Sequence, residues 1–209
     1  MMKAKVLILV IILIGLVAFW GCTKDDSNPS GPGGGTTTDT TELFYDDGTP
    51  DTYEEQTVAG TGPAVRFTTP AGTDSFQLIG VKIRLGTTSA GSITFSLRLY
   101  NWGTNAPGTE IHSQTVAGGT QDTWNTWWIA NQNIYFQANT DFVVGMIYDG
   151  TNEPTYGIDN TAHTNSWLNS GGTPPTWIQV AETYFIRVYV RSTTTSDVYE
   201  LSPNMDGQY

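Results

Sequence analysis

Cysteine is almost absent: Cys22 is the one thiol in 209 residues, so no internal disulfide can form and the fold must rest on its own core. Histidine is nearly as scarce. His112 lies in a strand-like run and His163 in an Asn/Thr-rich segment. Two isolated imidazoles with no second thiol match none of the ligand spacings of a tetrahedral zinc site. Nor do they suit a nucleophilic triad, because Ser113, beside His112, lacks the flanking glycines of a nucleophile elbow. Positive charge is also sparse, nine Lys and Arg against twenty Asp and Glu. Phosphate backbones are gripped by clustered basic side chains, and here Lys24, Arg66, Lys82, Arg84, Arg98, Arg187 and Arg191 are scattered along the chain. That argues against nucleic acid as a partner, and against docking of the domain on an anionic membrane.

One long apolar run is present, and it stands at the start. Lys3 and Lys5 precede Val6 to Gly21, sixteen residues without a charge, in the layout of a signal peptide. Its length exceeds the usual signal core of about 7–15 residues and falls short of the ~20 of a spanning helix. The exit decides between them. Phe19-Trp20-Gly21-Cys22 resembles a lipobox, in which a small residue precedes a cysteine that takes a diacylglycerol and becomes the new N-terminus. Gly21 and Cys22 match that pattern; Phe19 and Trp20 depart from it, and the alternative is an uncleaved anchor helix. Loss of Lys3 and Lys5 with the signal would move the formal net charge from −11 to −13.

Residues 22–41 have almost no apolar side chain and are expected to be a disordered Gly/Ser/Thr/Pro tether. Such a coil spans about 25 Å. Cys22-Thr23-Lys24-Asp25-Asp26 resembles the Cys-X-Lys-acidic-acidic export signal of surface lipoproteins in some Gram-negative bacteria. The resemblance implies a lipid-anchored protein on the outer face of the outer membrane.

From residue 42 to 192, short runs of Val, Ile, Phe, Tyr, Trp and Thr are punctuated by Gly, Pro, Asn and Asp, the pattern of strands and turns. No stretch there repeats apolar side chains at the spacing of an amphipathic helix. Ile93, Phe95, Leu97 and Leu99 alternate with Thr94, Ser96, Arg98 and Tyr100, and Val81, Ile83 and Leu85 alternate with Lys82 and Arg84. Each run reads as a strand with one buried face, and Gly86 to Gly91 reads as the loop of a hairpin that pairs them. Similar runs elsewhere bring the expectation to about eight strands in a single antiparallel β-sandwich, jelly-roll-like, followed by a tail over 193–209.

An ordered series of short motifs runs along this region: Tyr45-Asp46-Asp47-Gly48, Ala64-Val65-Arg66-Phe67, Pro107-Gly108-Thr109, Asp141-Phe142-Val143-Val144-Gly145, Gly157-Ile158-Asp159 and Ile186-Arg187-Val188. The series resembles an accessory β-sandwich module of secreted bacterial proteins, found beside peptidase or C-terminal sorting domains. The resemblance covers roughly residues 43–191 and implies a non-catalytic module. No peptidase or sorting domain accompanies it in this sequence.

Two residue sets are candidates for a site. Asp46, Asp47 and Asp159 stand in turn-like sequence of the kind that holds calcium through carboxylates and carbonyls; the competing reading is that they cap their own turns. Six tryptophans fall in the domain, and Trp102, Trp167 and Trp177 are the candidates for a recognition surface, the last two flanking a loop that could project them outward. An indole stacks on the apolar face of a pyranose while polar loop residues meet its hydroxyls. Trp124, Trp127 and Trp128 cannot all face one way. The expectation is therefore a surface-exposed lipoprotein, anchored through lipid on Cys22, whose sandwich binds a glycan or a surface protein without catalysis and needs no cofactor, unless calcium. A self-assembling envelope subunit is the alternative, and a hydrolase with an unrecognised site stands last.

Overall fold

A computed structural model describes residues 40–87, 93–150 and 154–193. The signal segment, Cys22, the tether up to residue 39 and the tail from residue 194 lie outside the described residues. In chain order the strands are β1 (Thr40–Leu43), β2 (Thr52–Glu54), β3 (Gly62–Thr68), β4 (Ser75–Leu85), β5 (Thr94–Trp102), β6 (Pro107–Ala117) and β7 (Thr123–Trp128). They continue with β8 (Tyr135–Gln137), β9 (Asp141–Ile147), β10 (Tyr156–Asp159), β11 (Ser166–Asn169), β12 (Trp177–Gln179), β13 (Thr183–Tyr184) and β14 (Ile186–Thr193). All pairings are antiparallel and fall into two sheets, so the chain is an all-β sandwich.

The first sheet is built on β4. Its alternating Val81, Ile83 and Leu85, with Leu78, point inward and are fully buried, as period-two patterning requires of a half-buried strand. β14 runs along one edge of β4, and β8 and β7 follow one another along the opposite edge. β1 extends the sheet beyond β14, and β10 joins β4 to β2 and β13. In the second sheet the order is β12-β11-β3-β9-β5-β6.

The two inner faces meet in one apolar core. Phe136 of β8 stacks on Phe142 of β9 at 4.3 Å, and Trp127 of β7 meets Phe95 of β5 edge-on at 5.2 Å, so aromatic pairs bridge the sheets where a disulfide might otherwise stand. Each such pair contributes about 0.5–1.5 kcal/mol beyond its area burial. Trp127 thus faces inward, while Trp124 and Trp128 lie on the outer face.

The expected hairpin is not there. β4 belongs to the first sheet and β5 to the second, where β5 pairs β6 and β9. Both strands carry one apolar face, and that pattern is the same whether two strands lie side by side or face each other across a core. More strands also form than the eight expected, because β1, β2 and β10 to β13 are only two to four residues long. Main-chain pairing holds such short segments without a readable apolar run. Thr40 and Thr41, for example, pair with Arg191 and Val190.

Candidate functional site

The second sheet is covered on both faces. In β9, Phe142, Val144 and Met146 enter the core while Val143 is buried on the outside, which explains its uninterrupted apolar run. The outer cover is a small cluster of Ala64, Tyr100, Val143 and Trp167, with Trp102, Ala106 and Trp177 packed against it. Trp167 sits opposite Ala64 in the β11–β3 register, and the small alanine leaves room for the indole on the sheet. Trp102 meets Trp167 edge-on at 5.5 Å, and Trp177 meets Tyr100 edge-on at 5.0 Å. The Arg66 guanidinium lies 4.6 Å from the centre of the Trp102 ring.

The three tryptophans singled out from the sequence therefore come together, but not as projecting rings. Trp167 is only 7% exposed, and Trp102 and Trp177 are half-buried. Folding the loop over 171–176 back across the sheet buries apolar area that an outward loop would leave in water. The indoles pack on the outer face of the sheet.

Between the loop and the β5–β6 hairpin lies an open groove of about 540 Å³, lined by Arg98, Tyr100, Thr109, Glu110, Thr173 and Pro174 among others. Arg98 and Tyr100 share the outer face of β5 with Trp102, as alternate residues must. The Arg98 Nη1 lies 3.4 Å from Glu110 Oε2. The Arg98 Nε and the Tyr100 hydroxyl are both buried, and although the Arg98 side chain approaches the hydroxyl, neither atom makes a hydrogen bond of good geometry, whereas nearly all buried polar atoms in proteins are satisfied. Burial pushes the Tyr100 hydroxyl above its ordinary pKa, Arg98 opposes that and Glu110 adds to it, so at neutral pH it remains a donor. On the hairpin side, Asn101 Oδ1 accepts from the Thr109 amide at 2.6 Å, and the Gly103 amide donates to the Ala106 carbonyl at 2.9 Å. The Pro107-Gly108-Thr109 turn is thereby held at the rim. Arg98, Tyr100 and Glu110 were not singled out from the sequence, although Arg98-x-Tyr100-x-Trp102 places a cation and two rings on one face of a strand.

The aspartates take a different role from the one calcium would give them. Asp46 is buried and accepts from Arg187 through both carboxylate oxygens, Nε lying 3.2 and 3.0 Å away, with a further contact from Nη2. Its Oδ1 also accepts from the Gly48 amide at 3.0 Å. Asp47 accepts from the Thr49 amide at 2.9 Å, and Asp159 from the Thr161 amide at 2.7 Å. Among the described residues no three His, Cys, Asp or Glu converge as a metal site. Asp46, one of the three calcium candidates, is ion-paired with the Arg187 guanidinium.

These contacts link motifs that lie far apart in the sequence. Asp46 meets Arg187, Tyr45 stacks on Phe67 at 5.7 Å, and Asp159 accepts from the Asp47 main chain. Burial opposes the charge on Asp159, but hydrogen bonds from the Thr161 amide and hydroxyl and from Asp47, with His163 nearby, outweigh it and lower the pKa below the usual carboxylate value. A depressed folded-state value stabilises the fold above the unfolded-state pKa and is lost as pH falls through the folded value. The melting-temperature gap between the parent chain and Asp159→Asn is therefore expected to be full at pH 7 and to close as pH drops below the ordinary Asp value. A gap independent of pH would show that the charge contributes nothing.

A region of a clostridial cysteine protease has a similar fold. The cysteine protease Cwp84, after propeptide cleavage, aligns with TM-score 0.53 at 10% identity, over 73% of this chain and 40% of that one. A second structure covers the cysteine protease and lectin-like domains of Cwp84, a surface layer associated protein of Clostridium difficile. It aligns with TM-score 0.46 at 12% identity, over 64% of this chain and 32% of that one. At such identity the first likeness is one of fold, and the chain spans well under half of either protein. No protein-family model matches the sequence, and no curated protein does either.

Proposed function

We propose that the chain is a bacterial lipoprotein displayed on the outer surface, held by lipid on Cys22, whose sandwich is a non-catalytic sugar-binding module of the accessory kind its motif series resembles. The observation that carries this reading is that the buried Arg98 Nε and Tyr100 hydroxyl, on residues that line an open groove, lack a hydrogen bond of good geometry. A pyranose offers what the groove lacks: hydroxyls for Arg98, Tyr100 and Glu110, and an apolar face for the Tyr100 ring and for Pro174 and Pro175 of the loop. The volume, about 540 Å³, lies within the range of small-ligand sites.

A glycan array probed with the detergent-solubilised full chain tests this. One class of neutral oligosaccharide should bind. Arg98→Met and Glu110→Gln each remove a charge-assisted hydrogen bond worth about 1.5–3 kcal/mol, which corresponds to roughly a 10- to 100-fold loss of affinity. Tyr100→Phe should weaken binding while leaving the melting temperature close to that of the parent chain, because the buried hydroxyl it removes has at most a poorly aligned contact with Arg98 in the free protein. Absence of any bound glycan, or binding that ignores all three substitutions, would remove the groove as a sugar site.

A further inference from the structure

The basic side chains that look scattered in the sequence are gathered by the fold. Of the six in the described residues, Lys82, Arg84, Arg187 and Arg191 lie on the outer face of the first sheet. They face out because their neighbours Val81, Ile83, Val188 and Val190 enter the core. Glu42 takes Lys82 at 3.1 Å and Arg187 at 3.5 Å, and Asp46 takes Arg187. Arg84 bonds the Tyr53 hydroxyl at 3.2 Å, and Arg191 bonds Gln77. Among the described residues neither of these two arginines has an acidic partner. On a chain of formal net charge −11, four cations thus share one face with Glu42 and Asp46 as their carboxylate partners.

The same face is aromatic. Trp128 is 64% exposed and Phe44 51%, and Trp124 and Tyr189 lie between them half-buried. Gly80 makes room for the Trp128 ring: a Cβ built there would come within 2.8 Å of the edge of the indole. Tyr189 stacks beside it at 5.3 Å with the planes 28° apart. The Lys82 ammonium lies 5.1 Å from the Trp124 ring centre and 5.9 Å from that of Tyr189, and Arg187 lies 4.3 Å from Trp124 and 4.6 Å from Phe44. Rings and cations thus alternate across an open sheet.

We infer that this face is a second docking surface, independent of the groove, and that its occupant is an acidic polysaccharide. Three properties select that chemistry. The exposed surface of Trp128 and Phe44 can meet the apolar C–H surface of sugar rings. Arg84 and Arg191, which no carboxylate among the described residues neutralises, match carboxylates along a polyuronide, and guanidinium holds a carboxylate with two parallel hydrogen bonds. An open sheet face, unlike the groove, admits an unbroken chain rather than a terminal sugar.

Affinity electrophoresis of the detergent-solubilised full chain in gels containing polygalacturonate provides the test, with hydroxyethyl cellulose as the neutral comparison. Migration should slow in polygalacturonate and not in the neutral polymer, and the slowing should weaken as salt rises. Trp128→Ala should reduce the apparent affinity at least 10-fold, and Arg84→Gln with Arg191→Gln should do the same. These variants keep the proposal falsifiable if one of them folds poorly. Tyr100→Phe should leave the polygalacturonate retardation intact, which separates this surface from the groove. No retardation, equal retardation in both polymers, or retardation insensitive to the Trp128 and arginine changes would overturn the inference. So would retention on phosphatidylglycerol vesicles that Trp128→Ala abolishes, in place of polygalacturonate binding, or a dimer in which Trp128 is protected.

Discussion

Replacing Arg187 with methionine should lower the free energy of unfolding by about 3–5 kcal/mol, the usual cost of stranding one member of a buried ion pair. The Asp46 side chain has no exposure and that of Arg187 is 13% exposed, so solvent cannot take over from the lost partner. Burial works against the charge on Arg187, yet the hydrogen bond and charge of Asp46 and the nearby Glu42 raise its pKa, and the guanidinium stays protonated throughout the working range. Without it, Asp46 keeps only the Gly48 amide. Methionine preserves much of the apolar stem between Trp124 and Phe44, so the loss reports on the charge rather than on packing. Urea unfolding of Arg187→Met, Asp46→Asn and the double variant closes a thermodynamic cycle. The double variant should recover a good part of the loss, because no carboxylate then remains unpaired. A single-variant loss under about 1 kcal/mol would place the pair among weak surface bridges.

Gly62→Ala is the second large effect. Gly62 opens β3 with φ +155°, and a Cβ built on it would overlap the Met146 carbonyl oxygen and lie 3.0 Å from the carbonyl carbon. Those are backbone atoms of β9, so relief requires moving a strand of the core. Strain and overpacking of this kind each cost about 1–3 kcal/mol. At about 2–4 °C per kcal/mol for a domain of this size, the melting temperature should fall by roughly 5–20 °C. Gly60→Ala is the control. It has φ +84° but nothing within 4 Å of the added carbon, so it isolates backbone strain, about 1 kcal/mol. Equal losses in the two variants would mean that the clash with β9 is not felt.

Much of the architecture was legible in advance. Alternation in β4 and β5 identified half-buried strands, and the absence of helical spacing pointed to a sandwich. The pairing of those strands was not legible, since alternation specifies a buried face and not a neighbour. The site was half legible. Trp102, Trp167 and Trp177 do meet, yet Tyr100 and Arg98 beside them went unmarked because on a strand they look like ordinary outward residues. Asp46 looked like a turn residue or a calcium ligand, and its partner lies 141 positions away. A contact of that span leaves no local pattern.

Composition alone determined the class of protein: one cysteine, two histidines and short β-rich runs dictate a disulfide-free all-β fold whose core must come from aromatic and branched side chains. Local pattern alone determined which face of each long strand turns inward, because side chains on a strand alternate by geometry. Only the tertiary structure decided which strands pair, that the loop over 171–176 folds back to make a groove, and that four dispersed basic residues share one aromatic face. Each of these depends on which outward surfaces the sheets leave open once the core has formed. That is a property of the packed layers, and no segment of the chain carries it.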